Sequence, residues 1–194
     1  MEPTDTDARD RADMGRLAAG KDAALNDLME RHATPVFRFL CRMVGNEDDA
    51  NDLAQETFVR VFKSHASYRA EQKFSTWLFT IAANLARNHF RWRSRHPNIS
   101  LDAENAETEQ TLGSTLPANS PAPNDEAIAA ERAAAVHAAV KNLPEDLREA
   151  VVLCEWEERS VAEAAAILEA TPKAVESRLY RARQILRERL KSRL

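Results

Sequence analysis

One stretch of the chain, residues 73–95, combines aromatic rings, amides and cationic groups without a single acidic side chain. Its basic and large aromatic residues are Lys73, Arg87, Arg91, Arg93 and Arg95, and Phe74, Trp77, Phe79, Phe90 and Trp92. Unpaired bases stack on aromatic rings, amides hydrogen-bond to base edges, and cations pair with phosphates. This composition therefore favours the binding of a single nucleic-acid strand.

The spacing of residues 73–95 predicts one helix with two neighbouring faces. The apolar face recurs at intervals of three and four residues and consists of Phe74, Leu78, Ile81 and Leu85. The adjacent face carries a ring, two amides and a guanidinium, from Trp77, Asn84, Asn88 and Arg91. We expect the first face to pack on a core and the second to face a strand. A core helix with a solvated basic face, and Trp77 within the core, is the alternative that this stretch alone leaves open.

Composition and charge distribution frame this interpretation. Only four glycines occur among 194 residues, which together with abundant Ala, Leu, Glu and Arg predicts an all-α protein. The net charge of −4 argues against nucleic-acid binding, but the distribution of charged residues along the chain is compatible with it. Residues 97–128 carry six acids and no Lys or Arg, whereas residues 173–193 carry eight bases and two acids. Two basic segments are thus separated by an acidic one.

The chain pattern predicts two small helical domains. Residues 14–96 form the first, residues 97–124 a flexible acidic linker with four prolines, and residues 125–194 the second. Residues 1–13 are polar, and we expect them to be disordered. A helix is expected over residues 17–44, broken or kinked at Pro35 and ended by Gly45-Asn46.

The end of the second domain has the pattern of a helix-turn-helix. Ser160 and Glu163 are spaced as a capping box that begins one helix, and Thr171 with Pro172 begins the next. The second of these helices is basic, which is typical of a helix that enters the major groove of DNA.

With these segments identified, the chain resembles the extracytoplasmic-function sigma factors of bacterial RNA polymerase, in the sigma-70 family. Residues 47–58 resemble the segment of region two that binds core polymerase, and residues 74–95 resemble the promoter-melting and minus-ten segment. Residues 177–183 resemble the end of the region four recognition helix. The resemblance implies two helical domains on a tether, with core RNA polymerase, promoter DNA and an anti-sigma factor as partners.

The resemblance also implies three groups of site residues. The polymerase-binding group consists of Asp49, Asp52, Gln55 and Glu56. The minus-ten and melting group consists of Tyr68, Arg69, Lys73, Phe74, Trp77, Asn84, Arg87, Arg91 and Arg93. The minus-thirty-five group consists of Lys173, Ala174, Glu176, Ser177, Arg178, Tyr180, Arg181 and Arg183.

Three positions depart from the family pattern. Glu169 stands where many members have glycine, so we expect a wider turn between the two helices. Ala174 and Glu176 stand where the family often has threonine and a base, which affects the upstream readout.

Other classes of protein remain as alternatives. A stand-alone helix-turn-helix regulator would bind duplex DNA without polymerase, and an interaction protein would use its first helices only for docking. The sequence contains no Gly-rich phosphate loop, no metal-ligand spacing and no disulfide framework, so we expect neither an enzyme nor a cofactor. With no signal peptide and no membrane-spanning run, the expected location is the cytoplasm.

Overall fold

A computed structural model describes residues 5–96 and 123–191, in which all regular structure is helical. The α-helices of these ranges are α1 (Asp5–Ala18), α2 (Ala24–Val44), α3 (Glu47–Ser64), α4 (Phe74–Arg95), α5 (Pro123–Lys141), α6 (Glu145–Val151), α7 (Val161–Ile167) and α8 (Pro172–Leu190). A 3-10 turn at His65–Ser67 follows α3, and a π-helical turn at Val152–Trp156 follows α6. The predicted all-α class is confirmed.

The predicted linker, residues 97–124, lies outside the described residues except for its last two, which begin α5. None of the described helices is both long enough and apolar enough to cross a bilayer.

Helices α1 to α4 form the first domain, with α2 and α4 packed through a T-shaped pair of rings. Phe39 and Phe79 are fully buried with ring centroids 5.3 Å apart. The connection from α2 to α3 is as predicted. Gly45 adopts a left-handed conformation with φ of 71° and donates its N–H to the carbonyl of Cys41. The Asn46 side chain then accepts the Asp49 N–H at 2.8 Å and begins α3.

The expected disorder of residues 1–13 is wrong for residues 5–13, because α1 is a helix from residue 5 onward that packs against α2, while residues 1–4 lie outside the described residues. Asp10 and Asp13 are buried on it. Arg31 donates to both carboxylates, and His32 Nε2 lies 2.8 Å from Asp10 Oδ2. Buried carboxylates are tolerated when they are paired in this way. These partners lie 18 to 22 residues away in the chain, so the local sequence of α1 shows only a polar segment and does not predict its burial.

The expected break at Pro35 is also wrong, since α2 runs through it without interruption. A proline inside a helix costs about 3 kcal/mol or more because it removes a hydrogen bond and crowds the preceding turn. Val36, Phe39 and Leu40 just after it are fully buried, and each contributes about 1.5–3 kcal/mol. Their burial outweighs the cost. The chain instead leaves the helical path before α2 at Gly20, where φ is 77°.

Helices α5 to α8 form the second domain, and its helix-turn-helix is confirmed. The reciprocal capping box of Ser160 and Glu163 begins α7, and Thr171 Oγ1 accepts the Ala174 N–H to begin α8. The expected widening of the turn is not needed, because Glu169 itself adopts the left-handed conformation with φ of 51°. A non-glycine residue is strained there by about 1–2 kcal/mol.

The two domains are packed against each other. Helix α4 contacts α7, and α2 contacts α5, α6 and the π-helical turn. Buried apolar residues from both domains belong to one continuous cluster. We call the surface where the domains meet the domain interface.

Candidate nucleic-acid interface

The apolar face of α4 is confirmed as core, and it corrects one site residue. Phe74 and Leu78 are at most 1% exposed, Leu85 is 5% exposed, and Ile81 is half-buried. We expected Phe74 to contact DNA, but its ring lies inside the first domain, with its centroid 5.2 Å from that of His32. Phe74 is therefore part of the core beneath the site, and its ring is not accessible to a base.

Trp77 lies at the border between the core and the surface of the first domain. Its ring is half-buried, with centroids 5.5 Å from Tyr68 and 6.1 Å from Phe74. The Tyr68 hydroxyl donates to the Gln72 carbonyl at 2.9 Å and so fixes the loop before α4. Arg69 in the same loop is exposed. One part of the Trp77 ring therefore packs on a fixed aromatic cluster while another part remains open for stacking.

Two cations near this cluster are paired with acids of the second domain. Lys73 Nζ lies 2.9 Å from Glu163 Oε1, and Arg87 Nε lies 2.7 Å from Glu149 Oε1. Arg87 also donates to the Asn84 side-chain oxygen at 2.8 Å. The Asn84 amide thus orients Arg87, and both lie against the domain interface.

The last turns of α4 are the exposed cationic part of the site. Arg91 donates to the side-chain oxygen of Asn88, and Arg93 Nη1 lies 3.5 Å from Asp49 Oδ2. Trp92, which our site prediction omitted, is 49% exposed and stacks on His96 at 4.9 Å between centroids. Trp92 belongs to neither of the two helix faces inferred from the sequence. The only sequence signal for a role in the site is an aromatic ring between basic residues.

The acidic residues of α3 do not all share one surface. Asp52 and Gln55 are exposed, and Glu56 forms a 2.8 Å ion pair with Arg60 along the helix. Asp49 instead faces α4, with His89 and Arg93 within 3.5 Å.

An apolar pair continues the exposed face of α3. Val59 is 41% exposed and Phe62 is 38% exposed, four and seven residues after Gln55. Phe58 and Val61 supply the buried face of this part of α3, and Phe62 lies at the exposed border of that face. Acidic and apolar groups side by side suit a protein partner better than a polyanion.

Helix α8 presents a polar face to solvent. Its inward residues, Val175, Leu179 and Ala182, are buried. The exposed residues of the minus-thirty-five group are Lys173, Glu176, Ser177, Tyr180, Arg181 and Arg183, while Ala174 and Arg178 are half-buried. Tyr180 is 65% exposed, which is unusual for a large ring without a partner surface.

Ion pairs orient three arginines of this face. Arg178 and Arg181 lie 3.8 and 3.9 Å from Asp146 Oδ2, and Arg183 lies 2.7 Å from Glu155. Within the described residues, Glu176 has no ion-pair partner within 4.0 Å.

Comparison with known proteins identifies the family of this chain. The model of sigma-70 region 2 matches residues 28–96, and the model of sigma-70 region 4 matches residues 133–186. The chain is 34% identical over 177 residues to the ECF RNA polymerase sigma factor SigW of Bacillus subtilis, covering 91% of this chain and 94% of that protein. The chain therefore belongs to the sigma-70 family, as an extracytoplasmic-function sigma factor of RNA polymerase.

Two solved structures share the fold. CnrH, solved in complex with the cytosolic domain of CnrY, is 25% identical with a TM-score of 0.69 and covers 95% of this chain and 98% of its own. The sigma factor RpoE of Bartonella quintana, solved with the anti-sigma factor NepR, is 25% identical with a TM-score of 0.64, covering 87% and 98%. Members of this family are initiation factors and not enzymes.

Proposed function

We propose that this sigma factor holds the melted minus-ten strand on α4 and reads the minus-thirty-five duplex with α8, while the exposed face of α3 binds core polymerase. The observation that carries this assignment is the exposed aromatic and cationic surface of α4 on the same chain as the exposed face of α8. Stacking and phosphate contacts hold unpaired bases, and a helix face reads base edges in the major groove.

Each group of residues then has its own chemical role. Trp77 stacks on an unpaired base, Arg87 and Asn84 contact the same strand, and Lys73 and Arg91 pair with phosphates. Asp52, Gln55 and Glu56 face a basic surface of polymerase. Co-purification with core RNA polymerase, followed by promoter-dependent run-off transcription, tests the whole assignment. A stand-alone regulator would bind duplex DNA and fail both assays.

We also propose that an anti-sigma factor controls this protein and that it acts in the cytoplasm, where polymerase and promoters are found. The support is its likeness to the Bartonella quintana sigma factor that was solved with NepR. A screen for a partner that blocks run-off transcription tests this control.

Replacing Trp77 by alanine should weaken open-complex formation more than duplex binding. Stacking contributes about 1–3 kcal/mol per base, so the open complex should decrease roughly tenfold or more. Trp77→Phe is the matched control, since it keeps a ring against Tyr68 and Phe74. Permanganate footprinting measures the melted bases, and circular dichroism measures folding. Equal losses in duplex and open-complex binding would contradict the stacking role.

Glu176 allows two readings that one library experiment separates. If its carboxylate accepts from a cytosine amine, Glu176→Ala should relax preference at one base pair by about 1–3 kcal/mol. If it only complements the positive end of α8, the same change should shift all sequences equally, by about 0.3–1 kcal/mol. The expected result is the first, because Glu176 is exposed and has no ion-pair partner among the described residues. Binding of upstream-element libraries at two salt concentrations measures it, and an unchanged sequence profile would exclude base readout.

A further inference from the structure

The domain interface is held by acid–base pairs that all have the same polarity. In each of them a base of the first domain meets a glutamate of the second: Arg42 with Glu157 at 2.9 Å, Lys73 with Glu163 at 2.9 Å, and Arg87 with Glu149 at 2.7 Å. The glutamates are largely buried, with side-chain exposures of 10%, 23% and 5% in the same order. These are therefore enclosed contacts between domains and not loose surface pairs.

Two arginines cross the interface in the opposite direction. Arg148 of the second domain is 9% exposed and donates to the carbonyl of Met43 at 2.6 Å, near the end of α2. The Arg159 guanidinium lies 4.5 Å from the centroid of the Phe79 ring and donates to the Ser75 hydroxyl at 3.1 Å. Both arginines anchor the second domain on α2 and α4 through geometry that requires close docking.

This interface overlaps the proposed strand-binding surface. Lys73 and Arg87 are two of the cations assigned to the minus-ten strand, and in this structure each is paired with a glutamate carboxylate of the second domain. A carboxylate and a phosphate oxygen compete for the same donors of an arginine or lysine.

We propose that the second domain autoinhibits the first through an ionic latch, in which Glu149, Glu157 and Glu163 hold Arg87, Arg42 and Lys73 and exclude the promoter strand. The latch is the set of these three pairs. The closed and strand-bound states are mutually exclusive, so any ligand that favours the open state must also favour strand binding. This inference rests on the proposed role of α4, but the closed state itself does not.

Burial opposes the charges of two of the three latch pairs. It raises the pKa of the Glu149 and Glu157 carboxyls, and Arg87 and Arg42 only partly offset this. Glu163 differs, because hydrogen bonds from Lys73 and Ser160 outweigh its burial and lower its pKa to about 2. The desolvation of enclosed ion pairs cancels much of their attraction, so opening returns both partners to water at modest cost. These ionic contacts lie beside the buried apolar cluster that both domains share, and they are the part of the interface that a charged partner can displace.

The first test measures the shape of the free protein. The variant Glu149→Gln/Glu157→Gln/Glu163→Gln removes the latch charges with little change of volume, and glutamine still completes the capping box of α7. The control variant, Asp5→Asn/Asp27→Asn/Glu188→Gln, removes the same number of charges from exposed pairs within single domains. Small-angle scattering should show a larger radius of gyration for the first variant only. Circular dichroism should show unchanged helix content in both.

The second test measures binding of a single-stranded minus-ten oligonucleotide without polymerase. If nine-tenths of the wild type is closed, opening tightens the apparent Kd about tenfold, because the competent fraction sets it. The control variant carries the same net charge and reports the purely electrostatic gain. Wild type and latch variant with equal radii of gyration would overturn the proposal. Equal oligonucleotide affinities of the latch and control variants would also overturn it.

These outcomes are separable from the proposed function. Run-off transcription by the wild type with core polymerase tests that function directly. If the wild type supports run-off transcription but is extended when free, the latch proposal fails and the proposed function stands. If the wild type is closed when free but does not support run-off transcription, the proposed function fails and the contact between the domains stands.

Discussion

Reversing Asp52 and Glu56 to lysine together is expected to reduce the affinity for core RNA polymerase by roughly a hundredfold. Like charges brought together at an interface cost several kcal/mol, and about 3 kcal/mol corresponds to this factor. Asp52 is exposed, and Glu56 is half-buried and paired with Arg60, on the side of α3 that also carries the exposed apolar pair Val59 and Phe62. The change therefore introduces cations at the proposed contact without touching the core. Competition binding against a labelled wild-type sigma factor measures the loss.

The matched control reverses Asp22 and Glu30 to lysine, since both are exposed acids of the first domain away from α3. It should retain polymerase binding, which separates a local contact from a general charge effect. Both variants should keep the helix content of the wild type. If the Asp52 and Glu56 reversal binds polymerase normally, the contact surface lies elsewhere on the first domain.

Replacing Asp10 by alanine is expected to lower the free energy of unfolding of the first domain by about 3–5 kcal/mol. Removing one partner of a buried ion pair typically costs this much, and we expect the lower end of the range because Arg31 keeps its bond to Asp13. Asp10 is 1% exposed and accepts from Arg31, while its second oxygen lies 2.8 Å from His32. Urea unfolding followed by circular dichroism measures the change.

Asp5→Ala is the control for this change. Asp5 pairs with Arg9 on the same helix, and both side chains are mostly exposed, so its loss should cost no more than about 1 kcal/mol. Similar losses for Asp10→Ala and Asp5→Ala would mean that the contact of α1 with α2 adds little to stability.

Local sequence signals predicted the helix boundaries at Gly45, Ser160 and Thr171, because the groups that satisfy these helix ends are close in the chain. Gly45 with Asn46, the capping box at Ser160, and Thr171 with Pro172 are all satisfied by backbone groups within a few residues. Their geometry is therefore encoded locally and was confirmed.

Features that depend on distant partners were not predictable in this way. The buried Asp10 requires Arg31 and His32, and the helical course of Pro35 requires burial of the residues that follow it. Phe62 is a related case, because helical spacing alone does not show which residues at the border of an apolar face are buried and which are exposed. The site residues Lys73 and Arg87 were identified by type, but their glutamate partners lie 90 and 62 residues away.

The packing of α1 to α4 on one another has a consequence for the newly synthesised chain. These helices are complete at residue 96, and 98 residues of the 194-residue chain follow them. Domains fold as units during synthesis, which adds about 5–20 residues per second. Glu163 lies 67 residues after residue 96, so for roughly 3–13 seconds on the ribosome each new first domain exposes Lys73 and Arg87 before Glu163 has been made. During this interval the nascent chain is a cationic surface near polyanionic RNA, and the acids of the second domain end that exposure when they arrive.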